Sequence, residues 1–166
     1  MQRAFEAAEK QIVRLSPSAF PDLPKKIRAD LLRRGCLIPQ VPHAEQPHNV
    51  IKGEFAKPGQ TDWAVLCSVG GVSSILVFWN GSAASPAQIV EKRDFDSLQD
   101  FGADGITYSR AIDPVDRAYI LQHYQWYDGT KPPPLDHKGI DDEFVEKGSI
   151  VLYFYRGRWL QLTGAD

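Results

Sequence analysis

The sequence predicts an α+β fold: a mainly antiparallel sheet of about five to seven strands with two N-terminal helices packed on one face. Three observations lead there. Between Val50 and Trp79 the apolar runs VIKGEF, DWAVLCS and ILVFW alternate with clusters of Gly, Pro and Ser, the pattern of consecutive antiparallel strands. Before Gly35 the apolar residues recur instead at helical spacing. Near the C-terminus two further runs flank Arg156-Gly157, which reads as a hairpin tip. Hydrophobic residues at 43% and charged residues at 24% fit a folded chain rather than a disordered one, and 166 residues suit a single domain over 1–166.

A first helix is expected over about Arg3 to Leu15, with Phe5, Ala8, Ile12 and Leu15 on one face, ending before Ser16-Pro17. A second begins near Pro24, which fits a first helical turn, and buries Leu23, Ile27 and Leu31. Arg33 and Arg34 complement the dipole at its end, and Gly35 is placed to terminate it. Pro39 and Pro42 keep the segment after Cys36 out of a central strand, and His43 to His48 reads as a polar loop. In DWAVLCS, Trp63, Val65 and Cys67 point one way and Ala64, Leu66 and Ser68 the other. Nearly all are apolar, so this strand is central and covered on both faces, with Ile75 to Trp79 beside it.

Asn80-Gly81 is a turn signal, and Gln88 to Phe95 reads as an edge strand whose Glu91, Lys92 and Arg93 discourage further pairing. Ile106 to Ile112 alternates as a strand, and Asp113-Pro114 opens a helix running to about Tyr124. YDGTKPPPLDHKG is turn and polyproline-like loop, continuing into the acidic stretch DHKGIDDE, read as a solvated loop or helix cap. Ser149 to Tyr155 and Arg158 to Leu162 close the chain as a hairpin, and Trp63, Trp79 and Trp159 fall in strands, as core residues.

A net charge of −2, with acids and bases mixed, lacks the electrostatic footprint of a nucleic-acid binder. The densest basic cluster, Lys25, Lys26, Arg28, Arg33 and Arg34, lies on one helix as a solvated face. No transmembrane segment is expected, and no cofactor. Cys36 and Cys67 are a disulfide candidate, which places the chain in the periplasm or outside the cell as a mature protein freed of its leader; as two separate buried thiols they place it in the cytoplasm.

Catalytic constellations are weak. Cys67 is mid-strand in an apolar run and Cys36 follows a helix C-terminus, and both settings disfavour a thiolate beside His43, His48, His123 or His137. GVSSI lacks the spacing of a nucleophile elbow. Asp136, Asp141, Asp142 and Glu143 offer oxygen ligands for a cation, but Lys138 and the early glutamate break the calcium-loop pattern. The most suggestive stretch holds Tyr119, Tyr124, Trp126 and Tyr127 ahead of Pro132 to Pro134. Exposed rings beside Asp136 and His137 could stack on a sugar or anchor a protein; packed under the proline loop they would only pin it.

The piece IKGEFAKPGQTDWAVL resembles the strand–loop–strand unit of FG-GAP (integrin-like) propeller repeats, with Gly53, Glu54 and Phe55 at its start, Gly59 in its loop and Asp62 as the later acid. It departs from them at Lys57 and Pro58, where such repeats carry calcium-binding aspartates, and it occurs once, so it implies a hairpin and no propeller. Through GCLIPQ, DWAVLCS and GRWLQLTGAD the whole chain resembles an uncharacterised bacterial protein family, which implies no activity. The leading functional expectation is a non-enzymatic binding domain for a protein or glycan, using the aromatic and proline-rich loop. The alternatives are a hydrolase of polysaccharide or peptide bonds built on residues 136–143, and an inhibitor-like or structural domain.

Overall fold

The computed structural model describes residues 1–45 and 47–166; Gln46, in the loop expected over 43–48, lies outside the described residues. The elements run α1 (Gln2–Glu9), β1 (Arg14–Leu15), α2 (Lys25–Arg33), β2 (Ile38–Pro39), β3 (Val50–Gly53), β4 (Asp62–Val69), β5 (Val72–Phe78) and β6 (Ala87–Arg93). They continue through β7 (Leu98–Asp100), β8 (Ile106–Tyr108), β9 (Arg110–Val115), α3 (Arg117–Tyr127), β10 (Gly139–Phe144), β11 (Gly148–Tyr155) and β12 (Arg158–Thr163). All pairings are antiparallel, in two four-stranded sheets of order β3-β4-β5-β6 and β12-β11-β10-β9 and two small sheets, β1-β2 and β7-β8.

This overturns the expected single sheet of five to seven strands under two N-terminal helices. The described residues hold twelve strands in four sheets. The two helices also part company: α2 lies on the β3–β6 sheet, whereas α1 packs on β7 and β8 and sets Phe5 against Phe95, ring centroids 6.1 Å apart. Helix α1 stops at Glu9 because the chain beyond it finds better partners extended. Arg14 and Leu15 pair with Pro39 and Ile38, and the Arg14 guanidinium reaches Asp94 at 2.7 Å. Ile106–Ile112 is broken at Ser109 into β8 and β9, and β9 carries Pro114 to its end, so α3 starts later, at Arg117. Asp116 caps it, accepting the Tyr119 N–H at 2.9 Å.

Three apolar clusters define the layering. Leu23, Ile27 and Leu31 of α2 pack on Val65, Cys67, Leu76 and Phe78, and Gly35 at φ +71° lets Cys36 N–H bond back to Leu31 C=O at 3.0 Å. On the opposite face of β4 and β5, Ala64, Leu66, Ile75 and Val77 meet Ile112, Ile140 and Leu152 of the second sheet. The outer face of that sheet buries Val151, Tyr153 and Leu162 against Ile120 of α3. The order is helix, sheet, sheet, helix. At the β3–β4 connection, buried Asp62 accepts from Phe55 N–H, Ala56 N–H, the Gln60 amide and Asn80 N–H, and Gly53 is required because a Cβ there would lie 2.9 Å from the Phe55 ring. Among the described residues no helix is long and apolar enough to cross a membrane.

The inter-sheet core is polar at one end. Arg110 on β9, 1% exposed, forms a two-pronged ion pair with Asp142 on β10, at 2.8 Å and 3.1 Å. Its remaining donors reach across to the other sheet, to Ser73 C=O at 3.2 Å and Val90 C=O at 2.8 Å. Val90 sits at φ +52°, a conformation that costs a β-branched residue, beside the register shift between β5 and β6. That bulge aims its carbonyl at the guanidinium. Buried Asp94, held by Arg14, Ser68 and Ser73, completes the polar end.

Removing one partner of this pair strands the other charge in the core. Asp142→Ala is expected to lower stability by about 3–5 kcal/mol in urea unfolding, with the double variant Arg110→Met/Asp142→Leu recovering much of the loss. A cost for Asp142→Ala below about 1 kcal/mol, the size of an exposed ion pair, would contradict this reading.

Candidate functional site

Helix α3 turns Ile120 into the outer core and leaves its last turn at the surface. Trp126 and Tyr127 are 62% and 44% exposed, although large aromatic side chains are usually buried well beyond that. They surround His123, whose ring centroid lies 5.6 Å from Trp126, 6.1 Å from Tyr127 and 4.0 Å from Tyr119 one turn back. His123 Nδ1 lies 2.8 Å from the Tyr119 carbonyl, so that nitrogen carries the proton and donates. Helical spacing of i, i+4, i+7 and i+8 produces this ladder of rings. Tyr124 is half-buried and joins none of the ring contacts around His123.

Beside the platform is an open pocket of about 420 Å³, lined by Tyr127, Thr130, Ser149, Gln161 and Thr163 among others. Thr163 Oγ donates to Asp128 C=O at 2.6 Å, tying the end of β12 to the turn after α3. Ser149 Oγ accepts the Ala165 N–H at 2.8 Å. Hydroxyls, an amide and backbone groups therefore surround one edge of the ring platform.

The stretch read as an acidic loop is in fact strand β10, between β9 and β11, and alternation decides the fate of each acid. Asp142 enters the core to meet Arg110, while Asp141 and Glu143 leave on the α3 side. There Asp141 stands directly across from Asp113 of β9. Tyr119 OH donates to Asp141 Oδ2 at 3.0 Å, and the Ser149 hydroxyl on the same side also stabilises the carboxylate. Burial raises the Asp141 pKa above the usual carboxylate value, and the Asp113 charge adds to the rise. Burial likewise raises Glu143, with Asp141 and Asp113 contributing, and partial desolvation by its neighbours raises Asp113, although that residue stays open to solvent.

Asp136 and His137 do not join this group. Asp136 is exposed; the two backbone N–H groups donate to Tyr153 OH at 3.2 Å and 3.4 Å, and the His137 ring stacks on Tyr153 at 4.2 Å. They fasten the proline-rich loop to β11. His137 lies 3.8 Å from Asp136, whereas Asp141 is held by Tyr119, so the three face different surroundings. Among the described residues no three His, Cys, Asp or Glu side chains are grouped to hold a metal ion; Asp141 and Asp142, neighbours on a strand, leave by opposite faces. His48 Nε2 accepts the Val41 N–H at 2.9 Å, and burial holds its pKa below the usual histidine value.

Trp63, Trp79 and Trp159 are half-buried; the last two stack at 5.8 Å across the sheets. Cys36 and Cys67 lie at disulfide distance, Cα atoms 5.3 Å apart. The pocket beside Tyr127 and the pairing of Asp113 with Asp141 are missed by sequence reasoning, because both arise from strand register across distant segments. Comparison with protein-family models, curated proteins and solved structures yields no match to this chain.

A carboxyl group whose folded pKa is raised binds its proton more tightly in the folded than in the unfolded chain. Its penalty is therefore full at neutral pH and fades as pH falls through the raised range. Asp113→Asn is expected to stabilise the fold at neutral pH by up to about 1 kcal/mol, the size of a like-charge cross-strand pair. The gain should shrink toward about pH 4, where the wild-type acids protonate. Urea midpoints compared at each pH cancel the opposite trend of His48; a variant no more stable than wild type at neutral pH would contradict the geometry.

Proposed function

We propose that this chain is a non-enzymatic binding domain whose partner surface is the C-terminal turn of α3 and the pocket beside it. The observation that carries the reading is the exposure of Trp126 and Tyr127 on a ladder of rings that also holds His123 and Tyr119. Solvent-facing rings offer large contact area at low entropic cost. The hydroxyls of Thr130, Ser149 and Thr163 beside them favour a glycan, whose C–H faces stack on rings while its hydroxyls bond at the edge. A protein segment presenting an apolar side chain to the same rings is the competing partner.

The reading includes export. It is supported by Cys36 and Cys67 at disulfide distance, since such bonds persist in oxidising compartments. Two free thiols, found by alkylation and mass spectrometry of protein recovered from such a compartment, would remove that support.

A screen of peptidoglycan fragments, oligosaccharides and short peptides by thermal shift and tryptophan fluorescence is expected to find a ligand that raises the midpoint. Trp126→Ala and Tyr127→Ala are each expected to weaken it about tenfold or more, while changing stability by no more than about 0.5 kcal/mol because both side chains are exposed. A ligand bound equally well by both variants would place the partner surface elsewhere.

A further inference from the structure

The outer edges of the two large sheets differ in how they are protected. An open edge presents backbone donors and acceptors to any further strand, and proteins blunt it with charges, proline, bulges or a covering segment. Edges β3 and β9 answer each other. Asn49, just before β3, donates to Arg110 C=O and accepts the Ile112 N–H of β9, and Glu54, just after β3, accepts the Lys138 N–H. The β6 edge carries Glu91, Lys92 and Arg93 and is interrupted by the register shift beside Val90.

Strand β12 has none of these devices. It is the outer strand of the order β12-β11-β10-β9, and its register with β11 runs unbroken from Tyr155↔Arg158 to Ile150↔Thr163. Its sequence, RWLQLT, holds no proline and a single charge, Arg158, at its start. Among the described residues no segment other than β11 hydrogen-bonds to the backbone of Arg158–Thr163; only the Thr163 side chain is tied elsewhere, to Asp128 C=O. Arg158 and Gln161 are exposed.

The strand is complementary to itself. A two-fold axis normal to the sheet at Gln161 sets that residue opposite its own counterpart, Leu160 opposite Leu162, and Trp159 opposite Thr163, each pair on one face of the joined sheet. Charge favours the same antiparallel direction. Arg156 and Arg158 stand at one end of the strand; at the other, Asp166 follows it and Asp128 is held beside Thr163. Among the described residues none of these four side chains forms an ion pair within the chain, and the axis lays the basic end of one strand along the acidic end of the other.

We propose that a second copy of this chain docks at β12, pairing antiparallel about Gln161 and joining the two β12-β11-β10-β9 sheets edge to edge. The inference goes beyond the ring platform and rests on none of its rings.

The test is sedimentation velocity of the whole chain from about 1 μM to about 1 mM, the range in which a small interface assembles. Wild type is expected to pass from monomer to dimer, with amide exchange slowing within Arg158–Thr163 as concentration rises. Gln161→Lys and Gln161→Glu each set like charges directly opposite one another and should weaken association about fivefold or more. An equal mixture of the two variants should recover it, because the axis then pairs a lysine with a glutamate. Position 161 is exposed, so each variant should keep the thermal midpoint of dilute wild type. A chain still monomeric at about 1 mM would overturn the proposal and leave the edge to a strand from another protein. A dimer unaffected by both single variants, or a mixture that associates no better than either alone, would overturn it as well.

Discussion

The ion pair between Arg110 and Asp142 is the constraint on which the other features rest. A guanidinium and a carboxylate removed from water cost several kcal/mol each unless every donor is answered, and here the answers come from both large sheets. Asp142 on the neighbouring strand takes two of the donors; Ser73 and Val90 carbonyls from the opposing sheet take others. The bulge at Val90, strained at φ +52°, exists to supply one of those carbonyls. Buried Asn49 adds a second bolt at the same seam: its amide donates to Pro39 and Arg110 carbonyls and accepts the Ile112 N–H. Apolar packing alone would let two sheets slide; these directional bonds fix their register.

Fixing Asp142 inward has a consequence on the other face of β10. Alternation then obliges Asp141 and Glu143 to stand outward, where antiparallel pairing brings Asp113 beside Asp141. Helix α3, anchored through Ile120, crosses close enough for Tyr119 to give its hydroxyl to Asp141. The rest of the ring ladder follows from helical spacing, and its last members are carried past the sheet into solvent. One core decision thus positions both the outward acids and the aromatic platform.

Much of this was readable where local pattern and tertiary environment agree. DWAVLCS is buried on both faces as its composition implies, Leu23, Ile27 and Leu31 are the buried stripe of α2, and Arg156-Gly157 turns the last hairpin with both residues at positive φ. What stayed hidden depended on partners far along the chain. DHKGIDDE reads as a solvated loop because two adjacent aspartates are poor strand formers, and it takes Arg110, thirty-two positions earlier, with Lys92 from the other sheet, to make Asp142 tolerable inside. The two-residue strands at 14–15 and 38–39 are too short to show alternation, and the first helix looks longer than it is because Ile12 and Leu15 fall in helical phase. Trp126 and Tyr127 stand out in sequence as rings beside a proline-rich loop, whereas the pocket beside them does not, since no linear spacing announces which side chains distant segments will bring together.

Native-state amide hydrogen exchange tests the central claim most directly. If the guanidinium joins the sheets, the β5 amides near Ser73 and the β9–β10 amides of Ile112 and Asp142 should exchange only through global unfolding, with one common free energy equal to that from urea. Opening of one sheet at a free energy clearly below that of the other would show that they are held separately, and would contradict the account.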